Sequence, residues 1–130
     1  MLKKLLVSLL SALLCISVVA EPEIQSDGNQ NVNNITIDDN RDVFVPPLKY
    51  HISSDNTAEV IRYYSYKKLK SVVIPSEIQT AEGVFPVTSI GEGAFSGCSG
   101  LTNIEFSKSL TSIGADAFLG CIGLRTYYFH

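Results

Sequence analysis

A stretch of 21 residues in this chain recurs at an offset of 23 positions with no gap. Val87 to Ser107, laid over Leu110 to His130, is identical at 11 of 21 positions. Thr88-Ser89-Ile90-Gly91 falls on Thr111-Ser112-Ile113-Gly114, Ala94-Phe95 on Ala117-Phe118, and Gly97-Cys98 on Gly120-Cys121. Gly100-Leu101 falls on Gly123-Leu124, and Phe106 on Phe129. A period in the twenties marks chains whose units stack, because one such unit cannot hide its own apolar face. A fainter copy lies upstream. Leu69-x-x-Val72-x-Ile74 has the spacing of Leu101-x-x-Ile104-x-Phe106, and Ile78 stands where Leu110 does. Gln79 to Pro86 interrupts that copy, and Gly83 among Val84, Phe85 and Pro86 suggests a small hairpin or loop there.

Within a unit, Leu101, Ile104 and Phe106 alternate with polar residues as a short strand does. Leu110, Ile113, Ala117, Phe118 and Cys121 supply the inward side chains of the return path. Gly91, Gly97 and Gly100 are read as bend positions, where glycine tolerates a positive φ. The intervening strand residues point outward. Aligned by unit they are Ser71 and Val73, Asn103 and Glu105, and Thr126 and Tyr128.

The repeats, residues 69–130, are preceded by three other regions. Met1 to Lys4 carries two lysines, Leu5 to Ala20 is apolar apart from three serines and Cys15, and Glu21-Pro22-Glu23 is polar. This is the layout of a secretory signal, residues 1–20, cleaved after Ala20. It implies a soluble mature chain with no stable membrane span, outside the cytoplasm or on the cell surface. Residues 21–47 hold six acids against one base, crowded with Asn and Gln, and are read as a disordered polar linker. Asn34-Ile35-Thr36 within it fits a glycosylation acceptor. Residues 48–68 contain two β-prone runs, Leu48 to Ile52 and Ala58 to Tyr64, around Ser53-Ser54-Asp55-Asn56. They read as a hairpin that caps the first repeat.

Charge and composition narrow the function. The chain has net charge −3, and removing Lys3 and Lys4 leaves 8 basic against 13 acidic residues. That balance opposes nucleic-acid binding, which rests on cations against phosphates. Three Cys and two His are too few for a zinc framework, and no metal or cofactor is expected. His51 and His130 are isolated, and Glu92, Glu105 and Asp116 show no paired acid–base logic, so no catalytic residue is assigned. Lys67-Lys68-x-Lys70 reads as a solvated basic turn. Cys98 and Cys121 hold the same position in successive units. They are read as buried small hydrophobes, with a disulfide between them as the alternative in an exported protein.

The run Ile90-Gly91-Glu92-Gly93-Ala94-Phe95-Ser96-Gly97-Cys98-Ser99-Gly100-Leu101-Thr102-Asn103-Ile104, with its copy from Ile113 to Tyr127, resembles the leucine-rich repeats of the BspA-like surface-antigen family. Val72-Val73-Ile74-Pro75-Ser76 is similar to the strand end of that repeat. The resemblance implies a short β-rich leucine-rich-repeat solenoid of about two and a half rungs behind an N-terminal β-hairpin cap. It also implies adhesion or protein–protein contact without catalysis, with a host, matrix or cell-surface protein as partner. The six outward residues are then the partner-binding face. The chain stops at Tyr127-Tyr128-Phe129-His130 in mid-unit. The alternative is accordingly a self-assembling unit that pairs through the last strand, or a fragment of a longer repeat array.

Overall fold

The structure is a computed structural model that describes residues 32–130. The signal expected at 1–20 and the linker from 21 to 31 lie outside the described residues. Nine strands make up most of the regular structure: β1 (Asp42–Val45), β2 (Leu48–Ile52), β3 (Ala58–Ile61), β4 (Ser71–Val73), β5 (Glu77–Thr80), β6 (Gly83–Ile90), β7 (Asn103–Phe106), β8 (Ser112–Ile113) and β9 (Thr126–Phe129). Among the described residues helical structure is confined to two 3-10 turns, Val32–Asn34 and Tyr64–Lys68.

The 23-residue offset reappears as parallel strand pairing. Asn103 pairs with Thr126, Ile104 with Tyr127 and Phe106 with Phe129. On the return path Ser89 pairs with Ser112 and Ile90 with Ile113. Ser71 pairs with Asn103, a separation of 32, because nine extra residues sit in the earlier copy. Those residues form a hairpin: β5 runs antiparallel to the first half of β6, with Thr80 opposite Gly83. The strands therefore fall into two sheets. One has the order β4-β7-β9; in the other β1-β2-β3-β6-β5 form a path and β8 also pairs with β6.

Hydrogen bonds also join the turns of successive repeats. Phe95 N donates to Ala117 O at 2.8 Å, Gly97 N to Leu119 O at 2.7 Å and Gly93 N to Ala115 O at 2.9 Å. Thr102 and Thr111 add side-chain bonds to the carbonyls of Lys70 (2.9 Å) and Thr88 (3.1 Å). A backbone group left unpaired in this interior would cost as much as a lost hydrogen bond, and the stacking avoids that for each turn it covers.

Aromatic rings fill the axis. Phe95, fully buried, stacks on Phe118 with centroids 5.4 Å apart and planes 2° from parallel. Tyr66 stacks on its other side at 5.0 Å. Tyr66 is buried, and its hydroxyl accepts from Lys49 N at 2.6 Å and donates to Lys49 O at 3.3 Å. The ring thereby ties the 3-10 turn to β2, with its polar tip satisfied. Burial pushes the Tyr66 hydroxyl far above its ordinary pKa. Phe106 and Phe129 form a second stack at 4.8 Å. Leu101, Ile104, Ile90, Val87 and Ile74 close the core between the sheets.

Two sequence expectations are corrected. The linker reading of residues 21–47 fails from 32 onward. Val43 is buried in β1, β1 pairs antiparallel with β2, and Ala81 N donates to Ile35 O at 2.8 Å. Three apolar residues, Val43-Phe44-Val45, suffice for a strand once β2 offers an edge, and composition alone does not register that edge. The bend reading of Gly91 and Gly100 is also replaced. Gly97 and Gly120 do have positive φ, 79° and 77°. Gly91 and Gly100 do not, and the former is glycine because chain passes close by: a Cβ at Gly91 would lie 3.2 Å from Val60 O.

Candidate binding face

The β4-β7-β9 sheet sets the six outward residues in two columns. Ser71, Asn103 and Thr126 share one row of pairing, and Val73, Glu105 and Tyr128 share another. The alternation of strand side chains produces this, since Val72 and Ile104 between them are buried. Val73 is 54% and Tyr128 51% exposed, so the second column presents two large apolar surfaces flanking a carboxylate. His130 Nε2 lies 2.6 Å from Glu105 Oε2, which holds that carboxylate at the edge of the face. His51 is likewise not isolated, as its Nδ1 lies 2.9 Å from Asp42 Oδ1, and Lys49 Nζ lies 3.0 Å from Asp42 Oδ2. Burial raises the Asp42 pKa, but the bonds and charges of His51 and Lys49 outweigh it and leave the carboxyl below its ordinary value. Nothing in sequence spacing signals either contact, because Asp42 meets His51 only through the pairing of β1 with β2 and Glu105 meets His130 across one repeat.

Cys98 and Cys121 are both free thiols. Cys98 is buried, and Cys121 donates from Sγ to Phe95 O at 3.1 Å. Burial pushes the Cys98 thiol up, and the neighbouring Cys121 adds to it against the pull of Arg62 and Lys67. Burial raises Cys121 as well. Such thiols are poor nucleophiles. Among the described residues no group of three or more His, Cys, Asp or Glu could hold a metal. No helix among them is long and apolar enough to cross a membrane. Asn34 sits exposed in the first 3-10 turn.

The BspA type leucine rich repeat region model (6 copies) matches residues 59–130. The chain belongs to the BspA-type leucine-rich-repeat family. Solved structures agree. A leucine-rich repeat protein from Bacteroides capillosus is 33% identical with a TM-score of 0.62, over 68% of this chain and 65% of that one. A leucine rich cell surface protein from Faecalibacterium prausnitzii has the same TM-score at 23% identity, over 73% of this chain and 25% of that one, and shows the fold alone. The leucine rich repeat protein of T. pallidum is 29% identical with a TM-score of 0.54, over 62% of this chain and 36% of that one. The BspA-type chain thus spans two thirds or less of each of these proteins. No curated protein matches it. The match begins at residue 59, within β3, so the family repeat reaches ten residues further upstream than the sequence reading from Leu69.

Proposed function

We propose that this BspA-type chain is an exported, surface-associated binding module that acts through the β4-β7-β9 face and performs no catalysis. The observation that carries the reading is the regular double column of Ser71, Asn103, Thr126 and Val73, Glu105, Tyr128 on one side of a parallel sheet. Its occupant is a host, matrix or cell-surface protein. In this reading the repeats form a short solenoid of about two and a half rungs. The β2–β3 hairpin caps its first rung, since β3 pairs parallel with β6 just as β6 does with β8. The apolar start of the chain acts as an export signal that is removed, leaving no membrane span. Stable protein interfaces use about 20–30 residues a side. Six outward residues therefore give weak binding per monomer, strengthened when several copies act together.

The test is surface plasmon resonance of residues 21–130 against immobilised matrix and cell-surface proteins, alongside the double variant Glu105→Ala, Tyr128→Ala. Loss of binding in the variant is expected. Binding that persists unchanged removes this face from the function. A second reading, self-association, rests on the apolar groups beside β9: Phe129 is 68%, Tyr127 64% and Ile122 85% exposed. An edge strand with such neighbours can pair with another copy. Sedimentation over a wide concentration range decides, since a constant monomer mass rules it out.

A further inference from the structure

The 3-10 turn at Tyr64–Lys68 lies against the first Ala-Phe-x-Gly-Cys turn and leaves a cavity of about 330 Å³. Arg62, Tyr63, Tyr64 and Lys67 form one wall; Ala94, Ser96 and Cys98 form the other. The volume falls at the small end of ligand pockets, which run from about 300 to 1,000 Å³. It is large enough for one sugar ring.

Three features of the cavity are unspent. The first is charge. Arg62 and Lys67 are exposed cations, and among the described residues neither has a carboxylate within ion-pair distance. The second is a backbone carbonyl. In the next repeat Ala117 O and Leu119 O accept from Phe95 N and Gly97 N of the repeat before. Among the described residues their equivalents one period earlier, Ala94 O and Ser96 O, have no such donor, because the 62–67 segment stands where a preceding turn would be; Ala94 is buried, which leaves Ser96 O. Ser96 is half-buried on the cavity wall, and its carbonyl is a backbone acceptor for an outside hydroxyl. The third is an aromatic surface. Tyr64 is 80% exposed and its ring lies 4.6 Å from that of Tyr63, with the two hydroxyls 3.5 Å apart. A larger cavity, beside Gly83 and Phe85, lacks this combination: Arg41 there already donates to Ile52 O at 2.7 Å and Ser53 O at 3.0 Å.

We propose that this cavity binds an acidic sugar, a pyranose bearing a carboxylate. Arg62 and Lys67 take the carboxylate, with Arg62 offering the planar fork that matches it. A sugar hydroxyl donates to Ser96 O, and the apolar face of the ring lies on Tyr64. A plain anion such as phosphate would leave the carbonyl and the ring unused, and a neutral sugar would leave the two cations unused. The site is independent of the strand face, which lies on other residues.

The experiment is isothermal titration of residues 21–130 with D-glucuronate, with a hyaluronan tetrasaccharide that contains internal glucuronate, and with D-glucose. Saturable binding of glucuronate or of the tetrasaccharide below about 10 mM is expected, with Arg62→Ala weakening it about 10-fold or more. Lys68→Ala, an exposed lysine outside the cavity, is expected to leave it within about twofold. Binding of the free monosaccharide shows that one sugar unit suffices. Binding of the tetrasaccharide alone places the ligand in a polymer. The proposal is overturned if neither acidic ligand saturates, if glucose binds as well as glucuronate, or if Lys68→Ala costs as much as Arg62→Ala.

Discussion

Phe95 is the ring on which the stacked arrangement turns, and Phe95→Ala measures it. The side chain is wholly buried between Tyr66 at 5.0 Å and Phe118 at 5.4 Å, so truncation opens a cavity bounded by rings on two sides. Burial of this kind sets the cost of a Phe→Ala change at about 3–5 kcal/mol, the upper half where neighbours cannot collapse. Here they cannot. Tyr66 is pinned through both backbone groups of Lys49, and the turn that carries Phe118 is held by Phe95 N to Ala117 O. A value of about 4 kcal/mol is expected, against a total of about 5–15 kcal/mol for a domain. Phe118 is only partly buried, with no described repeat beyond it, and Phe118→Ala should cost about 1–2 kcal/mol. Urea unfolding of residues 32–130 followed by circular dichroism reads both. With a slope of about 1–1.5 kcal/mol per molar, Phe95→Ala lowers the midpoint by about 3 M. A loss under about 1 kcal/mol for Phe95→Ala, or an equal loss for Phe118→Ala, would refute the reasoning.

Glycines at one repeat position give a second check. A Cβ at Gly123 would lie 2.5 Å from Ser99 O, whereas one at Gly100 meets the mobile end of Lys70 at 3.2 Å. Gly123→Ala should destabilise by about 2 kcal/mol or more and Gly100→Ala by under about 0.5, as thermal melts will show. Tyr66→Phe removes the acceptor of Lys49 N and should cost about 1–3 kcal/mol in the same urea assay, while retaining the ring stack. The Asp42 carboxyl has a depressed pKa in the folded chain. It therefore adds stability that is complete above the unfolded value, about 3.9, and disappears as pH falls through the folded value. The stability gap between wild type and Asp42→Asn should be present at about pH 5 and close below about pH 4. A gap that widens on acidification would invert that sign.

Much of this architecture can be read from residues alone, and the reason is periodicity. The eleven identities at offset 23 mark equivalent positions in successive units, so Phe95 over Phe118 follows from the offset. The β2–β3 hairpin is equally legible, because Ser53-Ser54-Asp55-Asn56 interrupts two β-prone runs. The outward columns follow once the strands are in register. What periodicity misses is whatever departs from the repeat. β1 depends on an edge supplied by β2, and its flanking composition is polar. Tyr66 takes the place of a repeat phenylalanine but sits 29 residues before Phe95, with no Ala-Phe motif around it. The Arg62–Lys67 cavity exists only because that irregular segment replaces a turn. Gly91 is legible as a glycine position, but its cause is the approach of another chain segment, which one sequence does not display.

The account depends above all on successive repeats lying in parallel, one period apart. Through-hydrogen-bond scalar couplings in a labelled sample of residues 32–130 test this directly. Correlations from Phe95 N to the Ala117 carbonyl carbon and from Gly97 N to that of Leu119 are predicted, as the contacts are 2.8 and 2.7 Å. Couplings displaced by one residue, or absent from both pairs in a folded sample, would contradict the stacked arrangement.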